Sequence, residues 1–356
     1  MNKTKWMMAA FFILAVCGLS LGLVSLFRNG SVQALSPTVP AVIALMPESA
    51  SFVAYVDVRK ILYSPVYKAF ENEHGDKFTT QLQEMIRTTG IDPRNDIDSV
   101  AFCSSPSPAG SGTVRLAIVS GRFDREKLTS LITVRGKAES TAYKGTAIYG
   151  RPQESSPSGE KTTGGEAVCF LDGNRILFGH REAIQSVVDI SRGEHAGVAS
   201  KPAFLAMLNQ TSTEGSFWVV GTDMSFLKQF QVRGAVDKTT GLRTERSLIP
   251  SLPPVENFLL QGDLGNVISV SMQTRCKDEK TAQNVNDFLR GMIALGKLTV
   301  EQKPELAGVM EDIQVSLNQT TVSVRIQMPF EDLKKLHELR KNPEVGRQPS
   351  KSAEKM

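Results

Sequence analysis

From Trp6 to Phe27 the chain runs for 22 residues without a charge. A helix of that length, rising about 1.5 Å per residue, crosses roughly 30 Å of hydrocarbon. A cleaved signal peptide usually has an apolar core of only about 7–15 residues, so the length favours an uncleaved anchor. Val32-Gln33-Ala34, with small residues at −3 and −1, keeps cleavage after residue 34 as the alternative. Lys3 and Lys5 precede the span and Arg28 follows it. The positive-inside rule then holds residues 1–5 in the cytoplasm and exports the body, giving a single-pass cell-membrane protein with a periplasmic body. The cytoplasmic membrane is thus the first expected partner.

The span contains two pattern matches. Gly18-Leu19-Ser20-Leu21-Gly22 fits the G-x-S-x-G of a nucleophile elbow, but that motif needs a strand-to-helix turn above a sheet, and hydrocarbon supplies none. The same residues form a small-residue face, and a homodimer through Gly18 and Gly22 is the corresponding expectation. Leu14-Ala15-Val16-Cys17 has the bulky Val16 where a lipoprotein box needs a small residue, so Cys17 reads as a membrane-buried thiol.

Charge marks where the body begins and ends. The whole chain carries +4, with three basic residues and no acid in residues 1–30 and a tail, 334–356, of +4. Residues 31–333 are left at −3. A nucleic-acid groove needs clustered Lys and Arg on the folded body, and no such cluster is visible, so nucleic acid is not an expected partner. Residues 28–44, rich in Pro, Ser and Val, read as an extended linker, and residues 342–356 as a disordered tail.

Within the body the apolar period switches between strand and helix. Ser51–Val58 is β-rich, and Arg59–Thr89 has helical spacing broken at Ser64-Pro65. Ser99–Cys103 and Val114–Val119 read as strands, Asp124–Leu131 as a capped helix, and Ala142–Tyr149 as one alternating strand. Val168–Phe178 is a hairpin turning at Asp172-Gly173-Asn174, and Glu182–Ser191 is a helix closed by Gly193. The second half follows the same order. Ser216–Thr222 with Asp223 matches Ser51–Val56 with Asp57, Val255–Leu259 matches Asp98–Phe102, and Val267–Thr274 matches Val114–Val119. Arg275–Lys280 parallels Arg122–Lys127, each ending a strand and opening a helix at an Asp. Ile313–Ile326 is a hairpin turning near Asn318-Gln319, and Asp332–Arg340 a closing helix. Ser104–Thr113, Arg151–Gly165 and Arg233–Pro254 interrupt the pattern as polar loops. The expectation is an α+β fold of two tandem related units, 45–200 and 201–341, each a mainly antiparallel sheet with helices on one face, behind the single N-terminal transmembrane helix.

Chemistry is harder to find. His74, His180, His195 and His337 show no ligand spacing with each other or with cysteine, so no metal is expected. No glycine-rich phosphate loop occurs, and no cofactor is expected. Asp92-Pro93-Arg94-Asn95-Asp96-Ile97-Asp98 lacks the sixth-position Gly and twelfth-position Glu of a calcium loop and reads as a turn. Cys103, Cys169 and Cys276 sit in or beside strands at unmatched repeat positions, which leaves one disulfide or three buried thiols open. No catalytic residue is assigned. The weak binding candidates are His180, at a strand-to-helix junction, and the pair Asp57 and Asp223, at the ends of matching strands.

Two groups of residues also form a familiar set. They are Leu45-Met46-Pro47-Glu48 with Ser51–Val58 and Ser64-Pro65, and Gly193 with Lys201-Pro202-Ala203-Phe204 and Leu208 before the second Ser-Phe strand. The arrangement resembles a bacterial family of uncharacterised exported or membrane-anchored proteins with a tandem second copy. The resemblance implies an extracytoplasmic site and transfers no catalytic residue. The functional expectation is a non-enzymatic binding or structural protein of the bacterial envelope, with another envelope protein, or a small ligand between the repeats, as its partner. An envelope hydrolase with an unrecognised site and an exported chaperone or assembly factor are the alternatives.

Overall fold

The computed structural model of the protein describes residues 40–107, 113–150, 165–212, 215–222, 232–236, 243–246, 255–300 and 313–334. The Trp6–Phe27 span, Gly18, Gly22, Asp223 and the tail lie outside these residues. Among the described residues no helix is long and apolar enough to cross a membrane.

Most of the runs read as β fold into strands. They are β1 (Phe52–Asp57), β2 (Ile97–Pro106), β3 (Thr113–Gly121), β4 (Glu139–Tyr143), β5 (Thr146–Gly150), β6 (Glu166–Phe170), β7 (Arg175–His180) and β8 (Phe217–Gly221). The second half adds β9 (Val232–Val236), β10 (Arg243–Arg246), β11 (Val255–Leu264), β12 (Val267–Cys276), β13 (Gln314–Asn318) and β14 (Thr321–Pro329). Every pairing is antiparallel. The helices are α1 (Val58–Tyr63), α2 (Pro65–Thr89), the single turn α3 (Pro93–Asp96), α4 (Arg125–Ser130), α5 (Arg181–Ser191), α6 (Pro202–Leu208) and α7 (Glu279–Val300). The fold is therefore α+β, built on a large antiparallel sheet.

That sheet is continuous. Its strand order is β13-β14-β12-β11-β8-β1-β2-β3-β7-β6-β5-β4. Read outward from the β1–β8 pair, the two directions run alike for five strands each, beyond which β5 and β4 extend the first side alone, and the ladders give the equivalences. Ala54 stands opposite Val219 at the centre, where Tyr55 and its partner Trp218 stack at 5.6 Å. β2 and β11 each carry a register shift, between Ile97 and Ser99 and between Val255 and Asn257, at matching places in the ladder. The ladders align Phe258 with Val100, since each stands opposite the equivalent residue of β8 or β1. Sequence matching aligns Phe258 with Ala101, one residue off, because both strands are buried on both faces near their middles and apolar pattern alone does not fix their register.

Strand alternation sends neighbouring residues to opposite faces. On one face Val56, Val100, Val119, Phe217, Val219, Phe258, Ile268 and Ile326 share a core with Val58, Ile61 and Leu62 of α1. α4 covers that face over β6 and β7 through Leu128, packed with Phe170 and Ile176. α7 covers it over β12 and β14 through Ala282 and Val285, packed with Val322. On the other face Val53, Ala101, Leu116, Ile118, Leu177 and Trp218 pack against Ala183, Ile184 and Val187 of α5 and Phe204 of α6. Helices thus lie on both faces, which corrects the one-face expectation. The alternating strands are apolar on both sides near the centre, and such strands need two covers.

Three further boundaries differ from the sequence reading. Val42 and Ile43 are buried in the core, so the fold begins inside the segment read as a linker to residue 44. Ala142–Tyr149 is not one strand but the β4–β5 hairpin, turning at Lys144 (φ 46°) and Gly145 (φ 79°), the two positive φ values of a type I′ turn. Arg233–Pro254, read as loop, contains most of the separate β9–β10 pair.

Candidate functional site

Asp57 caps α1. Its Oδ1 accepts from the Lys60 N–H at 2.9 Å. Asp124 and Asp278 do the same for α4 and α7, accepting from Lys127 N–H at 2.9 Å and Thr281 N–H at 2.7 Å. The Thr281 bonds hold the Asp278 carboxyl below its usual range. Capping satisfies an otherwise orphaned helix donor and stabilises by about 1 kcal/mol.

His180 also has a structural task. The penultimate residue of β7 is Gly179, whose φ of 147° and approach to the Arg115 carbonyl leave no room for a Cβ. The next residue, His180, replaces a ladder acceptor with its ring, and the Arg115 N–H donates to Nδ1 at 3.1 Å. Asp57 sits in the ladder row of Ser99, Ser120 and Arg175, whereas His180 sits beside Arg115, in the row of Ser104 and Phe52. Five residues of strand separate the rows, or about 17 Å, so the two candidates do not converge.

The Asp92 segment is a hydrogen-bonded turn. Asp92 Oδ1 accepts from Arg94 N–H at 3.0 Å, Asn95 Nδ2 donates to Asp92 Oδ2 at 2.7 Å, and Asp92 N–H donates to Asp96 Oδ2 at 2.7 Å. Cys103, Cys169 and Cys276 are free and buried. Burial pushes the Cys103 thiol up to about 12 and Cys169 to about 11, and raises Cys276 as well, so all three stay protonated and unreactive at neutral pH. Among the described residues no group of three or more His, Cys, Asp or Glu could hold a metal ion.

The densest polar cluster is one the sequence did not reveal. Lys144, at the tip of the β4–β5 hairpin, donates to Asp189 Oδ1 at 2.7 Å and is also paired with Glu194. Tyr143 Oη donates to Asp189 Oδ2 at 3.1 Å, and Arg192 Nε to Glu194 Oε1 at 2.8 Å. The Asp189 side chain is only 9% exposed. The bond from Lys144 holds Asp189 below the usual carboxylate range and does the same to Glu194, while the two carboxylates raise Lys144. A carboxylate held ionised by a cation is a poor base, and a lysine held protonated is a poor nucleophile. The network clamps the hairpin to the C-terminal end of α5.

Two open depressions lie on the surface of the described residues. One, of about 640 Å³, is lined by Arg125, Glu126, Thr129, Ser130, Thr133 and Tyr149, with Arg125 lying over the Phe170 ring at 5.6 Å. The other, of about 430 Å³, includes Asp98 and Asp172, both engaged by arginines, Arg59 and Arg175. Neither gathers His180, Asp57 or the Asp189 network.

No family model matches the chain, and no curated protein does. Two solved structures align with 83% of it at 10% identity and a TM-score of 0.43: crystal forms I and III of TP0453, covered over 95% and 96% of their own chains.

Proposed function

We propose that the protein is a membrane-anchored binding or structural module of the bacterial envelope. Trp6–Phe27 is its signal-anchor, residues 1–5 are cytoplasmic, and the body stands outside the cytoplasmic membrane. The observation that carries this reading is the 22-residue charge-free span with Lys3 and Lys5 before it. Two further features support it. The polar residues most suggestive of catalysis are engaged in caps, ladder contacts and the Asp189 clamp. The body also has the form of two fused copies of one unit, supported by the mirrored strand order and the matched register shifts of β2 and β11. Duplication fused edge to edge through β1 and β8 hides two strand edges that would otherwise be open to aggregation.

The test is topological and biochemical. A reporter active only in the cytoplasm, fused after Met356, is expected to be silent, and its activity would overturn the topology. Crosslinking in intact membranes is expected to recover the full-length, uncleaved chain with a reproducible envelope partner. Recovery of a chain beginning after residue 34 would replace the anchor with a cleaved signal.

A further inference from the structure

The two halves of the sheet differ on the face that α5 covers. In the first half that face presents Cys103, Val114, Leu116, Ile118, Ala167, Cys169 and Leu177, all buried. The ladders place Gln261, Ser269, Ser271, Gln273, Gln314, Ser316 and Ser323 at the equivalent positions of β11, β12, β13 and β14. All seven are polar, and all are exposed or half-exposed. Arg275, Thr321, Arg325 and Gln327 extend the same face. A helix with an apolar stripe cannot settle on it, because it would strand these hydroxyls and amides without water.

The face has a charge signature. Among the described residues, Arg275 and Arg325 make no ion pair. Arg325 stands opposite Ser271, four residues along β12 from Arg275, so the two guanidinium groups are rooted about 14 Å apart. The acid on this face, Asp263, is occupied by Ser216 Oγ at 2.7 Å and Gly265 N–H at 3.1 Å. The four strands span about 14 Å, and seven residues of strand about 24 Å. That is roughly half the 800 Å² per partner of a stable protein interface, and none of these face residues is a Trp, Tyr or Phe that could anchor one.

We infer that this face binds an anionic polysaccharide. The two arginines take up carboxylate groups by paired N–H donors, and the Ser, Thr and Gln side chains between them bond to sugar hydroxyls. A face built of these residues offers no aromatic ring for the stacking that a neutral glycan requires. The inference rests on the envelope reading for the presence of such a polymer, but its test is independent of topology.

Full-length protein in detergent is titrated with polygalacturonate, dextran and polyglutamate. Polygalacturonate is expected to bind, and to weaken as salt screens the arginines. Dextran is expected not to bind. Arg275→Gln with Arg325→Gln is expected to weaken polygalacturonate binding about tenfold or more. Arg87→Gln, on α2, is expected to leave it unchanged. The thermal midpoint of each variant shows that the fold survives. Absence of polygalacturonate binding, or binding indifferent to the double substitution, overturns the proposal. Polyglutamate bound as tightly with the same arginine dependence also overturns it, in favour of an acidic protein partner. Because binding is measured on purified protein, its failure leaves the topology result untouched, and the reverse holds.

Discussion

The first and second halves of the sheet share a ladder and differ in what one face carries. Leu177 is fully buried beneath α5, while its equivalent, Ser323, is half-exposed. Strand length accounts for part of this. β7 ends at His180, but β14 continues three residues past the equivalent position, Ile326, to Pro329. Exit direction alternates with each residue of strand, so an odd extension reverses it. The helix after β7 therefore returns over one face, and residues 330–334 pack Phe330 and Leu333 against the other. Among the described residues no such helix covers that face of the second half, and its residues are polar to match. Cover and composition change together, which indicates a surface maintained for solvent or for a ligand.

The largest expected effect comes from writing the second half into the first. Leu177→Ser removes a fully buried side chain, leaves a void and buries a hydroxyl. It should destabilise by about 3–5 kcal/mol, read by urea unfolding. A loss under about 1 kcal/mol would mean that α5 covers this face only loosely, and the contrast between the halves would fail.

Gly179→Ala tests the strand end that turns α5 onto its face. The site has φ 147°, and an added Cβ would lie 2.2 Å from the Arg115 carbonyl. The expected cost is about 1–3 kcal/mol. Arg325 stands at the equivalent position of β14, so Arg325→Ala should fall within about 0.5 kcal/mol of the parent in the same assay.

The clamp at Lys144, Asp189 and Glu194 belongs to the first half only, among the described residues. Asp189→Asn should cost about 1 kcal/mol at neutral pH. Its pH dependence has a definite sign. The Asp189 and Glu194 carboxyls are depressed in the fold, so their contribution is complete above the unfolded range near pH 4 and is lost as pH falls through the folded values. Lys144 is raised, so its contribution is complete below about pH 10 and is lost as pH rises through the folded value. The parent should therefore lose more stability than Asp189→Asn between pH 6 and about pH 3. Parallel thermal melts across that range check this, and identical slopes would show that the clamp contributes nothing.

Much of the fold was legible in the sequence and the clamp was not, for identifiable reasons. Ser51–Val58, Val168–Phe178 and Ile313–Ile326 have the period-2 alternation and turn residues that specify strands and hairpins locally. Ser64-Pro65 marks a helix start by itself, with Ser64 Oγ accepting from Tyr67 N–H at 3.1 Å. The Lys144-Gly145 turn passed unread because lysine seldom adopts positive φ, and the hairpin was merged into one strand. With the hairpin tip missing, nothing local could bring Lys144 to Asp189, 45 residues away. His180 stood out at a strand-to-helix junction, but its contact with Arg115 is 65 residues distant and depends on the β3–β7 register. The use of both sheet faces was hidden for a similar reason. Alternation shows which residues share a face but not which faces a distant helix will cover.

The smallest expected effect is the most discriminating. Ser323→Leu places the first half's residue type on the second half's open face. If that face meets only water, the change should shift stability by less than about 0.5 kcal/mol, because the new side chain would find no described helix above it. Its consequence should appear in association instead. A leucine among Ser271, Gln273 and Ser316 interrupts the hydroxyl and amide surface between Arg275 and Arg325, so polygalacturonate binding should weaken without a change in the urea midpoint. Stabilisation by about 1 kcal/mol or more would instead mean that apolar atoms lie over the face, since burying a leucine side chain is worth about that much or more. Ser323→Leu thus asks of one residue the question that separates the halves, namely whether this face of the sheet is closed by the chain or kept open for a ligand.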